Sequence, residues 1–135
     1  MATAQEQPAH NHPQHTVSAF RILKKERLTP VTNRFVLDAA WVARSARPGQ
    51  FVIIRVQKDG ERIPVTIADF DAAQGTVTIV VQEVGRTSKL IGSLMEGQTV
   101  LDLVGPLGEP FHARQAKRVI GVGGGFGAAA LYPVM

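Results

Sequence analysis

The chain has 135 residues, a length that suits one compact domain but not two complete ones. Its net charge of +4 fits a phosphate-bearing ligand or an acidic partner. Nucleic acid is disfavoured, since no long basic run is interleaved with aromatic residues. There is no cysteine, which excludes disulfides, thiolate zinc sites and cysteine-ligated iron–sulfur clusters from this chain.

Residues 1–15 are polar, rich in Gln, Pro and His, and lack an apolar period, so they predict a disordered tail. His10, His12 and His15 fall in this tail. A metal site is conceivable there, but a solvated tail is the better interpretation and no metal site is predicted. The chain has no signal-peptide core and no apolar run of membrane-spanning length, so we expect a soluble, cytoplasmic protein.

Short runs of β-branched and apolar residues dominate the middle of the chain. They predict six strands, at residues 20–28, 35–37, 50–56, 64–68, 76–84 and 100–104. Asp59-Gly60 and Gln74-Gly75 predict tight turns, because glycine adopts positive φ at little cost. Helical spacing of apolar residues predicts one helix over residues 86–95. This pattern is typical of an all-β fold, a six-stranded antiparallel barrel with one inserted helix.

The last part of the chain has a different pattern. Gly105-Pro106-Leu107-Gly108 predicts a tight loop, and residues 118–122 predict a short apolar strand. A glycine-rich turn and a helix start follow it, as in the first βα unit of a parallel α/β domain. We therefore expect three parts: a tail at residues 1–15, a barrel at 16–115, and the beginning of a second, Rossmann-like domain at 116–135.

The first candidate site is the strand that contains Pro64. Period-two alternation places Arg62, Pro64 and Thr66 on one face, and Ile63, Val65 and Ile67 on the other. Proline cannot donate a ladder hydrogen bond, so the strand should be an edge or be interrupted there. Arg62 could grip a diphosphate, with Thr66 near a ring system. A solvated arginine on an edge strand is an equally good interpretation of this spacing.

The second candidate site is Gly85-Arg86-Thr87-Ser88, where a strand ends and the helix begins. Thr87 or Ser88 could cap the helix, and its N-terminal N–H groups form an anion site. Taken alone, the motif is more often an ordinary N-cap with a glycine turn. The motif gains weight from its position, because only one hairpin separates it from Arg62 and a barrel can bring Arg62 and residues 85–88 to the same diphosphate. Glu83 lies near this site, where its burial would need a partner.

The third candidate site is Gly123-Gly124-Gly125-Phe126-Gly127-Ala128, after the apolar strand. It matches G-x-G-x-x-A in the strand–turn–helix setting of dinucleotide-binding proteins. The acidic ribose ligand that would follow about twenty residues later lies beyond the last residue.

Five motifs in order resemble the ferredoxin–NADP reductase superfamily. They are Pro48-Gly49-Gln50-Phe51, Arg62-x-Pro64-x-Thr66-Ile67, Gly85-Arg86-Thr87-Ser88, Gly105-Pro106-Leu107-Gly108 and the terminal glycine-rich turn. The branch that the chain resembles is the FAD/NAD-binding electron-transfer subunit of dihydroorotate dehydrogenase and sulfide dehydrogenase, which includes the small subunit of NADH-dependent ferredoxin–NADP reductase.

This resemblance implies a flavin barrel followed by a nucleotide domain, and it implies residue roles. Arg62 would contact the FAD diphosphate, while Pro64, Val65, Thr66 and Ile67 would line the isoalloxazine. Gly85, Arg86, Thr87 and Ser88 would bind the diphosphate from the helix, and Gly123, Gly124, Gly125 and Gly127 would face NAD(P)H. Thr66, placed near flavin N5, is the candidate catalytic residue.

The sequence departs from the family pattern in two ways. Plant-type reductases place an aromatic residue and a serine where this chain has Pro64 and Val65. The expected C-terminal half, with the cysteines of a [2Fe–2S] cluster, is missing, so we expect a truncated chain without that cluster.

The resemblance implies an oxidoreductase subunit that passes electrons between NAD(P)H and a partner redox subunit or ferredoxin through FAD. Two alternatives remain open at this stage. The chain could be a non-catalytic flavin-binding module, or a small basic barrel that binds RNA or an acidic protein.

Overall fold

The computed structural model describes residues 20–135, so the tail and its three histidines lie outside the described residues. The strands are β1 (Phe20–Thr29), β2 (Thr32–Asp38), β3 (Phe51–Arg55), β4 (Ile63–Asp71), β5 (Thr76–Gln82), β6 (Thr99–Val100) and β7 (Asp102–Leu107). The helices are α1 (Ala40–Ser45), α2 (Arg86–Ser93) and α3 (Ala128–Leu131), with short 3-10 turns on either side of α3.

The strands form one antiparallel sheet in the order β6-β1-β2-β5-β4-β3-β7. Its two edge strands, β6 and β7, are consecutive in the chain and separated only by Leu101. The chain therefore brings the two edges of the sheet together, and the sheet curls into a nearly closed barrel. The predicted antiparallel barrel is confirmed, with seven strands instead of six.

The barrel interior is filled by alternating side chains from the strands. Its most buried members include Ile22, Phe35, Leu37, Val52, Ile54, Ile67, Val77, Ile79 and Val100, with Ile91 packing from α2. Gly75 turns the chain with φ of +70°, as the sequence predicts. Asp59-Gly60 also lies at a turn, in the β3–β4 connection, but Gly60 does not adopt positive φ; its N–H donates to the Gln57 carbonyl at 2.9 Å. None of the helices in residues 20–135 is long and apolar enough to cross a membrane.

The strand predicted at residues 100–104 is two strands. Leu101 separates them and donates its N–H to the Arg55 carbonyl at 2.9 Å, so the break marks the barrel corner. The predicted loop at residues 105–108 is also wrong, because β7 continues through Leu107. Pro106 fits because β7 is a sheet edge whose register with β3 is irregular here, where a missing N–H is tolerated.

Residues 118–122, predicted as the strand of a βα unit, form no strand in the described structure. Val119, Ile120 and Val122 are 45%, 82% and 89% exposed, and no strand within residues 20–135 pairs with them. A parallel strand needs a hydrogen-bonded neighbour, which explains why the apolar pattern alone is insufficient. The helix start that was predicted after them is formed, as the four-residue α3.

Candidate functional site

The candidate site begins where β4 changes its partner strand. Residues 63–66 pair with β3, from Ile54↔Ile63 to Phe51↔Thr66. Pairing with β5 begins only at Ile67↔Ile79. β4 itself runs unbroken from Ile63 to Asp71, but its first half is paired on one side only, so Pro64 lies on an edge, the first of the two predicted alternatives.

The direction of the backbone groups explains why proline is tolerated here. Ile67 donates its N–H to the Gln50 carbonyl at 3.0 Å, on the side of β4 that faces β3. Since successive residues of a strand direct their N–H groups to opposite sides, Thr66 directs its N–H away from β3. An N–H at Pro64 would point the same way, into the gap before the β5 ladder begins. Pro64 therefore removes a donor that the sheet does not use.

The side chains of β4 divide as the alternation predicts. Val65 and Ile67 are 8% and 1% exposed and belong to the core, so they offer a ligand only their backbone. Pro64 is exposed and Thr66 half-buried on the outer face. A ligand lying on this face would meet the proline ring and the threonine hydroxyl.

Helix α2 presents its N-terminus near the same hairpin. Its N-cap is Gly85, in extended backbone, which corrects the prediction that Thr87 or Ser88 occupies the cap. The Ser88 hydroxyl points back toward the residues before the helix. Its Oγ accepts hydrogen bonds from the backbone N–H groups of Val84 and Gly85, each at 2.9 Å. The N–H groups at the start of α2 have no acceptor within the helix, so they favour an anion.

A contact between side chains joins this helix to the β3–β4 hairpin. Thr87 donates its hydroxyl to the Glu61 carboxylate, the residue next to Arg62. Glu61, Arg86 and Thr87 line a small cavity of about 100 Å³ together with residues of the hairpin. The hairpin residue next to Arg62 therefore lies against the first turn of α2, where its carboxylate contacts Thr87.

Gly85 has open space above it. A Cβ built there meets no atom within 4 Å, and its φ of −135° suits any residue. The packing of the chain itself therefore does not require glycine at this position. A group bound against the helix N-terminus would use the space that a side chain would fill.

Arg62 contacts a carboxylate that the sequence did not reveal. Its Nη2 lies 3.3 Å from Asp102 Oδ2, and Arg55 pairs with the same oxygen. Two guanidinium groups share one carboxylate, so the cluster keeps a net positive charge. The Arg62 side chain is 54% exposed and free to turn toward solvent. The pairing of β3 with β7 places Arg55 opposite Asp102, and this pairing cannot be read from the sequence.

A cleft of about 600 Å³ lies on the outer face of the barrel, between the sheet and the last helical segment. Its floor includes Ala68 on β4 and Val80 on β5, and its opposite wall includes Gly125, Phe126 and Tyr132. The cleft reaches β4 at Ala68 and Asp69, and Thr66 is not among its lining residues. The structure thus brings Gly125 of the glycine-rich segment against β4 and β5, two residues along the chain from Thr66.

No family model matches the chain. It is 43% identical over 113 residues to a homologue of the electron transfer subunit of dihydroorotate dehydrogenase B (NAD(+)) from Thermotoga maritima, covering 84% of this chain and 40% of that protein. Among solved structures, it matches one of NADH-dependent reduced ferredoxin–NADP oxidoreductase with a TM-score of 0.84 and 42% identity, covering 87% of this chain and 42% of that one. An Amycolatopsis cytochrome P450 reductase has the same fold, with a TM-score of 0.63 at 24% identity and coverage of 86% and 37%.

The chain is a ferredoxin-reductase-like barrel. The resemblance expected from the five sequence motifs is confirmed, and so is the fold class. The chain spans about two fifths of the length of the Thermotoga maritima protein and of the NADH-dependent ferredoxin–NADP oxidoreductase structure.

Proposed function

We propose that this chain is the flavin-binding part of an oxidoreductase that passes electrons between NAD(P)H and a partner redox subunit or ferredoxin. The observation that carries the proposal is the interrupted β4 ladder beside the N-terminus of α2. It offers a ring-binding strand and an anion site on adjacent elements. The similarity to electron-transfer subunits supports the same function.

The residues at the site fit FAD in particular. The open space at Gly85, the N–H groups at the start of α2 and the exposed Arg62 suit a diphosphate. Along β4, Thr66 lies four residues from Arg62, about 13 Å in an extended strand. One end of an elongated ligand can therefore reach the anion site while its ring lies at Pro64 and Thr66.

FAD, when bound, supplies the hydride and one-electron chemistry. The chain binds and orients it: Arg62 and residues 85–88 hold the diphosphate, and Thr66 directs a hydroxyl and a backbone N–H toward the ring. Val65 and Ile67 contribute backbone and keep the strand fixed in the core. Gly123, Gly124, Gly125 and Gly127 would meet the nicotinamide nucleotide across the cleft.

Ultraviolet–visible absorption of the purified 135-residue chain tests flavin binding directly. The chain should be yellow, or become yellow when FAD is added and excess ligand removed. Titration with FAD, FMN and riboflavin then tests the diphosphate contacts, and FAD should bind most tightly. A colourless chain that takes up none of the three contradicts the proposal and leaves the basic barrel, whose RNA affinity would fall steeply with salt.

Anaerobic addition of NADH or NADPH to the FAD-loaded chain tests electron transfer. Loss of the flavin absorbance within seconds supports the oxidoreductase. A chain that binds FAD without losing absorbance supports the alternative, a flavin-binding module.

Replacing Thr66 with valine should lower the flavin midpoint potential by about 10–30 mV, the equivalent of one lost hydrogen bond in a two-electron couple. Valine keeps the shape of threonine and removes only the hydroxyl that would stabilise reduced flavin. Spectroelectrochemical titration measures this shift. Thr76→Val, at the start of the neighbouring β5 and half-buried like Thr66, lies outside the cleft; it is the matched control and should leave the potential within a few millivolts. An unchanged potential in Thr66→Val would show that the hydroxyl does not contact the ring.

A further inference from the structure

Glu83, just after β5, makes a buried polar contact that the proposed site does not use. Its Oε1 accepts a hydrogen bond from Asn33 Nδ2 at 2.7 Å. Asn33 is 0% exposed, and its Oδ1 has no partner within residues 20–135. Burying a carboxamide with one unpaired oxygen is unfavourable, so packing alone does not explain why this side chain occupies the barrel wall.

The Glu83 carboxylate also lies directly against the backbone of α2. A Cβ at Gly92, in the last turn of that helix, would lie 2.3 Å from Glu83 Oε1. Glycine is disfavoured within a helix relative to alanine, yet here it is the residue that allows the helix to rest on the carboxylate. A side chain at position 92 would therefore require either the Glu83 side chain or the helix to shift.

Lys25 on β1 holds the same turn from another direction. Its Nζ donates to the Gly92 carbonyl at 2.5 Å, and its backbone N–H donates to Glu96 just beyond the helix at 2.9 Å. The last turn of α2 is thus fixed through its Cα by Glu83 and through its carbonyl by Lys25. Since α2 is a rigid unit of eight residues, fixing one end places the other, about 12 Å away.

We propose that Glu83 is a positioning residue for the anion-binding end of α2, acting through the helix backbone at Gly92. This inference rests on the proposed function only for the identity of the anion, the FAD diphosphate. Asn33 orients the carboxylate, Gly92 provides the surface that rests on it, and the N–H groups of residues 86–88 are placed as a result.

A double-mutant cycle tests this role. Glu83→Ala and Gly92→Ala should each weaken FAD binding about tenfold, the first by freeing the helix and the second by displacing it. The double variant should be weakened far less than the product of the two effects, because the alanine at 92 then meets no carboxylate. Glu83→Gln keeps an acceptor for Asn33 and should stay within about threefold of the parent.

Val42→Ala in α1 separates positioning from stability. Val42 is 2% exposed in the core and has no part in the anion site, so this variant lowers the melting temperature without moving α2. FAD affinity is measured well below all melting temperatures. If Glu83→Ala and Gly92→Ala weaken binding no more than Val42→Ala does, the positioning role is wrong.

Amide chemical shifts of residues 86–88 in the ligand-free chain provide a readout that does not depend on flavin. Glu83→Ala and Gly92→Ala should shift these signals, and Val42→Ala should not. Shifted signals in a chain that binds no FAD would overturn the proposed function and leave the positioning role standing. Unshifted signals in both Glu83→Ala and Gly92→Ala would overturn the positioning role, whatever the chain binds.

Discussion

Replacing Arg62 with alanine is expected to weaken FAD binding by about 10- to 100-fold. Hydrogen bonds to a charged group contribute about 1.5–3 kcal/mol each, and Arg62 carries an exposed guanidinium just before β4. The pairing with Asp102 does not remove this effect, because Arg55 pairs with the same oxygen and the cluster stays cationic. Arg62→Lys should fall between the parent and the alanine variant, since an ammonium cannot form the bidentate contact. Fluorescence quenching titrations with FAD measure all three affinities.

Two further variants show whether the effect is local. Arg44→Ala removes the same charge from α1, away from the anion site, and should bind FAD as the parent does. Glu61→Ala removes the carboxylate that Thr87 contacts, so FAD should bind at least as tightly as in the parent. Equal affinity of Arg62→Ala and the parent would show that Arg62 does not hold the diphosphate. If Arg62 does hold the diphosphate, Arg62→Ala should weaken the binding of FAD but not that of riboflavin, because riboflavin has no diphosphate.

Most of the barrel could be predicted from the sequence because its strands are locally specified. The strand predicted at residues 76–84 is present as β5, and its apolar residues Val77, Ile79 and Val81 are buried in the core. Helix α1 was missed, since its six residues are too few to show a helical period. The division at Leu101 of the strand predicted at residues 100–104 was missed for a different reason. It depends on where the barrel turns a corner, which is a property of the closed sheet.

The candidate site was predictable where single residues carry the chemistry. Pro64 predicted a place where β4 lacks a hydrogen-bonded neighbour on one side, and residues 63–66 do pair with β3 alone. Asp102 gave no signal, because its nearness to Arg62 arises only from the pairing of β3 with both β4 and β7. Glu61 was missed similarly, as its contact with Thr87 joins residues 26 positions apart. Contacts across strands and hairpins were therefore the part that sequence patterns could not supply.

Replacing Phe35 with alanine should lower the free energy of unfolding by about 3–5 kcal/mol. The ring is 1% exposed in β2, paired with Lys25 and Ile79 on the neighbouring strands, and it is the largest fully buried side chain of residues 20–135. Removing it leaves a cavity that a closed barrel cannot easily collapse, because both adjacent strands are held by ladders. A typical domain is stable by only about 5–15 kcal/mol, so much of the population could unfold. Urea denaturation followed by circular dichroism gives the value.

Trp41→Ala provides the contrast, since it removes a larger aromatic side chain that is 78% exposed on α1. Its effect should stay within about 0.5 kcal/mol, as for other surface substitutions. If both variants were destabilised equally, the barrel would not be packed around Phe35 as described.

The core contact at Phe35 also bears on the flavin site, because β5 lies between β2, which carries Phe35, and β4, which carries Thr66. A milder Phe35→Leu variant that remains folded should therefore retain FAD, whereas loss of FAD without unfolding would show that the strand carrying Thr66 depends on this core contact.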